Sequence, residues 1–380
     1  MKIGRFQYLY ILLCFAFLTS CIESYPPPII DDKVNFLVID GSVNSTDGTA
    51  QVKLSRAVAL SSTESSPPEL NAQVLVEDNN GNIYPLIEIG NGVYQQSNLI
   101  ISISKDYRLY VKTSDNNEYR SDFITIKQTP IIDSVHWAPS PTQLGIDILV
   151  NTHDDSKNTR YYQWSFEETF EYESVYFAFI KYVNGEIVNI PLSERANRCW
   201  QTLPSTKILI GSSEKLTNDI IYNFPLSFIS KGSQKLIIKY SILVKQRALS
   251  REAYDYWLSL QKTTENLGSL FDPQPGQVTG NIHNIHNFDD PVLGYFDVGA
   301  AREKRIFIKG TDLPDDLRSF KTFGNCSKDT VFLADLPQFN SVLLDPITVG
   351  PVTIGYTYSS FSCADCRLQG GTTTKPSFWQ

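Results

Sequence analysis

Two histidines stand close together in the segment Asn281-Ile-His-Asn-Ile-His-Asn-Phe-Asp-Asp290. On a helix, the i, i+3 spacing of His283 and His286 would put both rings on one face with Asp289 in reach, as a metal site needs. Pro275-Gly276 upstream and the run of asparagines predict strand and turn instead, where that spacing turns the rings to opposite faces. No metal ligand is assigned. Cys363-Ala-Asp-Cys366 has the C-x-x-C spacing shared by redox enzymes and half zinc sites. A redox motif wants a strand-to-helix junction, and a zinc ribbon wants a second close pair, whereas Cys199 and Cys326 stand far apart in the chain. Structural disulfides are the leading reading for Cys199, Cys326, Cys363 and Cys366, with three connectivities open.

Adjacent carboxylates occur at Asp154-Asp155, Glu167-Glu168, Asp289-Asp290 and Asp315-Asp316. Glycosidases hold two carboxylates roughly 5 to 10 Å apart across a cleft, which adjacency does not supply, so each pair reads as a solvated turn or strand edge. Asp40-Gly-Ser-Val-Asn-Ser-Thr-Asp47 has some calcium-loop character but lacks the closing bidentate Glu. No nucleophile elbow, zincin pair, phosphate loop or dinucleotide fingerprint occurs, so no catalytic residue and no cofactor is assigned. The most unusual local composition is Tyr161-Tyr-Gln-Trp164-Ser-Phe166-Glu-Glu-Thr-Phe170-Glu-Tyr172-Glu. Alternation sets Tyr162, Trp164 and Phe166 on one strand face, away from the neighbouring acids. Two readings stay open: core packing of a broad sheet, or an exposed strip that binds a sugar or a protein partner.

The elements that must position these residues are mostly strands. From Val34 to Ile126, stretches such as Gln73-Val-Leu-Val-Glu alternate with period two between turn signals. Asn80-Gly81 predicts a hairpin with positive φ at both residues, and Ser114-Asp-Asn-Asn117 a second one. The fold class expected is mainly β: an N-terminal immunoglobulin-like β-sandwich over 34–128, then a larger β-rich domain over 131–380. The boundary falls near Thr129-Pro130. One amphipathic helix is expected at about 250–267, because Ser250 can N-cap, Glu252 suits the first turn, and Ala253, Tyr254, Trp257 and Leu258 follow helical spacing.

The N-terminus reads as an address. Residues 1–20 carry Lys2, Arg5, no acid and an apolar run from Tyr8 to Leu18, and Leu18-Thr19-Ser20-Cys21 is the bacterial lipobox pattern. Residues 1–20 are thus expected to be a signal peptide and Cys21 the lipidation site. Two or more acyl chains there, at about 0.8 kcal/mol per buried methylene, anchor the protein firmly without spanning the bilayer. Ile22 in place of Asp removes the usual inner-membrane retention signal, which points to the outer membrane. Residues 21–33 form a tether, with Pro26-Pro27-Pro28 favouring an extended polyproline helix. The chain carries 33 Lys+Arg against 41 Asp+Glu, a net charge of −8. Loss of Lys2 and Arg5 makes the mature body more acidic still, which disfavours nucleic acid as a partner.

The stretch from Tyr240 to Lys309 carries a resemblance, through Ser241-Ile-Leu-Val-Lys-Gln, Leu249-Ser-Arg-Glu-Ala-Tyr-Asp-Tyr-Trp257 and Pro291-Val-Leu-Gly-Tyr-Phe296. With the ending Cys363-Ala-Asp-Cys366 and Phe378-Trp379, it resembles Domain of Unknown Function family forty-two forty-nine, lipoproteins of the Bacteroidota, over essentially the whole mature chain. The resemblance implies a surface-facing outer-membrane lipoprotein encoded beside a TonB-dependent receptor, and it assigns no site residue. The function expected is that of a non-enzymatic accessory or docking subunit of such a receptor or another outer-membrane β-barrel. An accessory role in outer-membrane protein assembly or export is one alternative, and a surface glycan-binding protein or hydrolase is the other.

Overall fold

A computed structural model of the chain describes residues 35–58, 65–265, 280–318 and 325–380. The expected signal peptide, Cys21 and the tether lie outside the described residues. The fold is mainly β, as the sequence predicts. In the first region, alternation does the work: Leu37, Ile39 and Val43 of strand Leu37–Asn44 and Tyr107, Leu109 and Val111 of strand Asp106–Lys112 are all buried in one core. Ten strands form a single sheet that bends around this core, with strand Ile83–Gly90 pairing on one side with Gln73–Asp78 and on the other with Val93–Gln96.

The Asn80-Gly81 hairpin forms, but its turn differs from the expected one. Only Gly81 has positive φ, at 85°. Gly81 N–H donates to the Asp78 carbonyl at 3.0 Å, and the buried Asp78 carboxylate accepts from the Asn80 and Asn82 amides and from the Lys105 ammonium. Burial pushes the Asp78 carboxyl up, but these donors outweigh it and hold it well below the usual range. The side chain of Asp78 thus replaces the second positive-φ residue as the determinant of the turn.

The first sheet is not completed by the first region. Strand Val292–Gly299 runs parallel to Leu37–Asn44, from Leu37↔Val292 to Asn44↔Gly299, and strand Ile282–Asn284 pairs with Glu118–Ser121 at the opposite edge. Asn281 joins these late strands: its Nδ2 donates to the Phe296 carbonyl and its Oδ1 accepts from the Phe296 amide, both at 2.9 Å. Gly294, at φ 129°, allows the approach, since a Cβ there would meet the Ile39 carbonyl at 1.8 Å.

The second region is a sandwich. A sheet of Ile220–Ser230, Gly145–His153 and Ile132–Pro139 packs on a sheet built around Tyr161–Glu173, Lys239–Leu249 and Ala301–Lys309. Thr129 ties the two regions together. The Thr129 hydroxyl donates to the Ala300 carbonyl at 2.6 Å and accepts from the Ala248 amide at 2.9 Å. Helix α1, Arg251–Thr264, begins as predicted, with Ser250 Oγ accepting from the Ala253 amide. Its Trp257 and Leu258 pack with Tyr295 and Ile210 at the junction of the two regions.

The C-terminal segment folds onto the second sandwich. Cys199 is bonded to Cys366 and Cys326 to Cys363, so the C-x-x-C pair is split between two bridges. Trp379 is buried and donates from Nε1 to the Glu171 carboxylate at 3.1 Å. The two bridges span 167 and 37 residues, so loop closure gives about 5 and about 4 kcal/mol respectively. Non-reducing denaturant unfolding of Cys199→Ala/Cys366→Ala and Cys326→Ala/Cys363→Ala is expected to show the larger loss in the first variant. The opposite ranking would contradict this assignment of their weights.

Candidate functional site

The aromatic strip is not a surface. Tyr162, Trp164 and Phe166 are buried, at 0%, 1% and 8% exposure, between the two sheets of the second sandwich. Trp164 stacks on Phe224 with ring centroids 4.3 Å apart and donates from Nε1 to Gln246 at 2.8 Å, while the Tyr162 hydroxyl donates to Asp219 at 3.0 Å. The expectation of a binding strip is therefore corrected: alternation separates two faces of a strand, and a second sheet covers the aromatic one.

The other polar residues singled out from sequence are scattered. His283 and His286 are exposed, lying 3.9 Å from Asp122 and 3.8 Å from Glu118 respectively. Among the described residues no group of three or more His, Cys, Asp or Glu is placed to hold a metal ion. Asp40 lies within a strand and Asp47 accepts from the Thr49 amide in the following turn, so the calcium-like run is split between two elements. Glu167 pairs with Lys245, Glu168 with Lys235, and Asp315 with Arg318.

The structure gathers polar groups elsewhere, in a cleft of about 640 Å³ between the two regions. One wall is the outward face of strands Leu37–Asn44 and Val292–Gly299, where Asp40 stands beside Tyr295 and Ser42 beside Asp297. The facing wall is the outer face of the second sandwich, where Lys245 lies opposite Glu303 and Arg247 opposite Ala301. Helix α1 closes one end with Trp257. Alternation explains the walls: the same strands that bury Ile39, Phe296 and Val244 inward must turn Asp40, Asp297 and Lys245 outward.

The charges in the cleft are unevenly matched. Lys245 is held between Glu167 at 3.1 Å and Glu303 at 3.5 Å. Arg247 acts on the Asp297 carboxylate through its charge, but the two make no ion pair. Burial pushes the Asp297 carboxyl up, more than Arg247 and the Val298 amide draw it down. Tyr295 and Tyr256 are pushed up to about 12, chiefly by burial, with nearby carboxylates adding to it. A desolvated carboxyl in a cleft is a common mark of a functional site. Sequence reasoning missed Asp297, Arg247 and Trp257. The available signal was Asp297 itself, a carboxylate inside the otherwise apolar run Val292-Leu-Gly-Tyr-Phe-Asp-Val298.

The raised carboxyl has a thermodynamic consequence. Its folded pKa lies above the unfolded value of about 3.9, so the native state binds the proton more tightly and loses stability as pH rises through that interval. Thermal melts from pH 4 upward are expected to show wild type losing ground relative to Asp297→Asn. A pH-independent difference between the two would count against a desolvated Asp297.

No curated protein matches the chain. The family described as Domain of unknown function (DUF4249) matches residues 22–305. The match is shorter than the resemblance implied, because it stops within strand Ala301–Lys309 and leaves out both Cys326 and the Cys363-Ala-Asp-Cys366 motif. By a match that spans well over half its length, the chain belongs to the Domain of unknown function (DUF4249) family.

Proposed function

We propose that this chain is a non-enzymatic, lipid-anchored subunit of the outer membrane that docks through its first sheet onto an outer-membrane β-barrel, with a TonB-dependent receptor as the leading partner. The observation that carries this reading is a row of isoleucines. Ile83, Ile87 and Ile89 of strand Ile83–Gly90 are exposed by 57%, 67% and 62%. Together with the exposed Pro85 they occupy the face opposite the buried Leu86. The neighbouring strand sets the half-buried Leu75 beside Pro85. Alternation normally places polar residues on the solvent face of such a sheet, so a contiguous apolar row there supports a surface that a partner covers. The anchor at Cys21 supplies the localisation: residues 1–20 fit a lipoprotein signal, and the tether gives the body reach from the bilayer.

The test is copurification from mildly solubilised outer membranes. The affinity tag belongs in the Asn184-Gly185 turn, where Gly185 has open space around it, because Trp379 is buried. A barrel protein is expected with the wild-type chain and is expected to be lost with Ile83→Ser/Ile87→Ser/Ile89→Ser, while the melting temperature stays close to that of wild type, since exposed substitutions usually shift stability by only about 0.5 kcal/mol. Recovery of the wild-type chain alone would sink the docking reading. Cys21→Ala is expected to move the protein from the membrane to the soluble fraction, and persistent membrane association would sink the lipid anchor.

A further inference from the structure

We infer that the cleft between the two regions is a binding site for a neutral, hydroxyl-rich ligand, an oligosaccharide segment. The inference does not rest on the docking face, which lies on a different strand. Its first support is the unmade contact between Asp297 and Arg247. Both are half-buried on facing walls and close enough to interact through charge, yet no ion pair joins them. A carboxylate offers only acceptors and a guanidinium only donors. A sugar hydroxyl both donates and accepts, so it can bridge such a pair where a purely cationic or anionic group would satisfy one side and repel the other.

Charge balance narrows the class. Asp40, Asp47 and Asp297 line one side of the space, and Lys207, Lys245, Arg247 and Glu303 line the other. With both signs on the walls, a strongly ionic ligand gains little net attraction, whereas an uncharged polar one meets donors and acceptors throughout. Asn44 and Gln163 add amides that do both. The second support is Trp257, half-buried at the end of the cleft and braced by a T-shaped contact with Tyr256 at 5.3 Å, with Tyr256 in turn 4.9 Å from Tyr295. A ring fixed by its neighbours gives a sugar's apolar face a flat partner at low entropic cost. The combination of one aromatic wall and convergent carboxylate, guanidinium and amide groups suits a pyranose better than a peptide side chain or a lipid.

Isothermal titration of the detergent-solubilised mature protein tests this, with neutral gluco-, xylo- and manno-oligosaccharides as probes and oligogalacturonate and chitosan oligomers as charged ones. Binding of at least one neutral series, with weaker or no binding of both charged ones, is expected. Trp257→Ala is expected to weaken it roughly tenfold, the effect of losing one well-placed aromatic contact. Ser42→Trp, which obstructs the opposite wall, is expected to abolish it, and melts of both variants establish that they fold. No binding by any neutral series, preference for a charged series, or binding unchanged in folded Trp257→Ala and Ser42→Trp would each overturn the proposal.

Discussion

The parallel pairing of Val292–Gly299 with Leu37–Asn44 is the constraint on which the rest of the structure depends. Antiparallel neighbours can be joined by a tight turn, but parallel ones require a long crossover. Here the crossover contains almost the whole second sandwich, inserted between residues near Thr129 and the strand Ile282–Asn284. The first core cannot close until Ile282, Val292, Phe296 and Val298 arrive to complete it. Gly294 and Asn281 are specialised for that arrival, one by lacking a Cβ and the other by imitating a backbone pair with its side chain.

The same strand fixes the cleft. Val292–Gly299 passes through Ala300 directly into Ala301–Lys309, so one extended segment belongs to a sheet in each region. Two outward, polar strand faces are thereby brought opposite one another, and helix α1 packs its aromatics over Tyr295 at the join. A carboxylate on that strand loses water because the second region lies over it. The polarity and the burial of the site thus have a common origin in chain connectivity.

Much of the local structure was legible in the sequence, because local structure follows local rules. The period-two runs, the two early hairpins and the Ser250 cap all lie where alternation and turn chemistry place them. What was not legible is non-local. Nothing in Val292–Gly299 names Leu37–Asn44 as its neighbour, so the first domain read as the contiguous block 34–128. The aromatic strip shows the same limit: alternation separated Tyr162, Trp164 and Phe166 from the acids but could not say whether water or a second sheet faced them. At Asn80-Gly81 the dipeptide marked the hairpin, while the conformation of the turn depended on Asp78 and on Lys105, far away in sequence.

The two disulfides are nested, with Cys326–Cys363 lying inside the loop closed by Cys199–Cys366. A chain oxidised in order of synthesis would join Cys199 to Cys326 first and then Cys363 to Cys366, and neither of those bonds is native. Native pairing therefore requires that oxidation wait for the fold or that early bonds be exchanged through thiolate attack. Where bonds form ahead of the fold, reaching the native pairs depends on a host's capacity to reshuffle disulfides and not only on its capacity to form them.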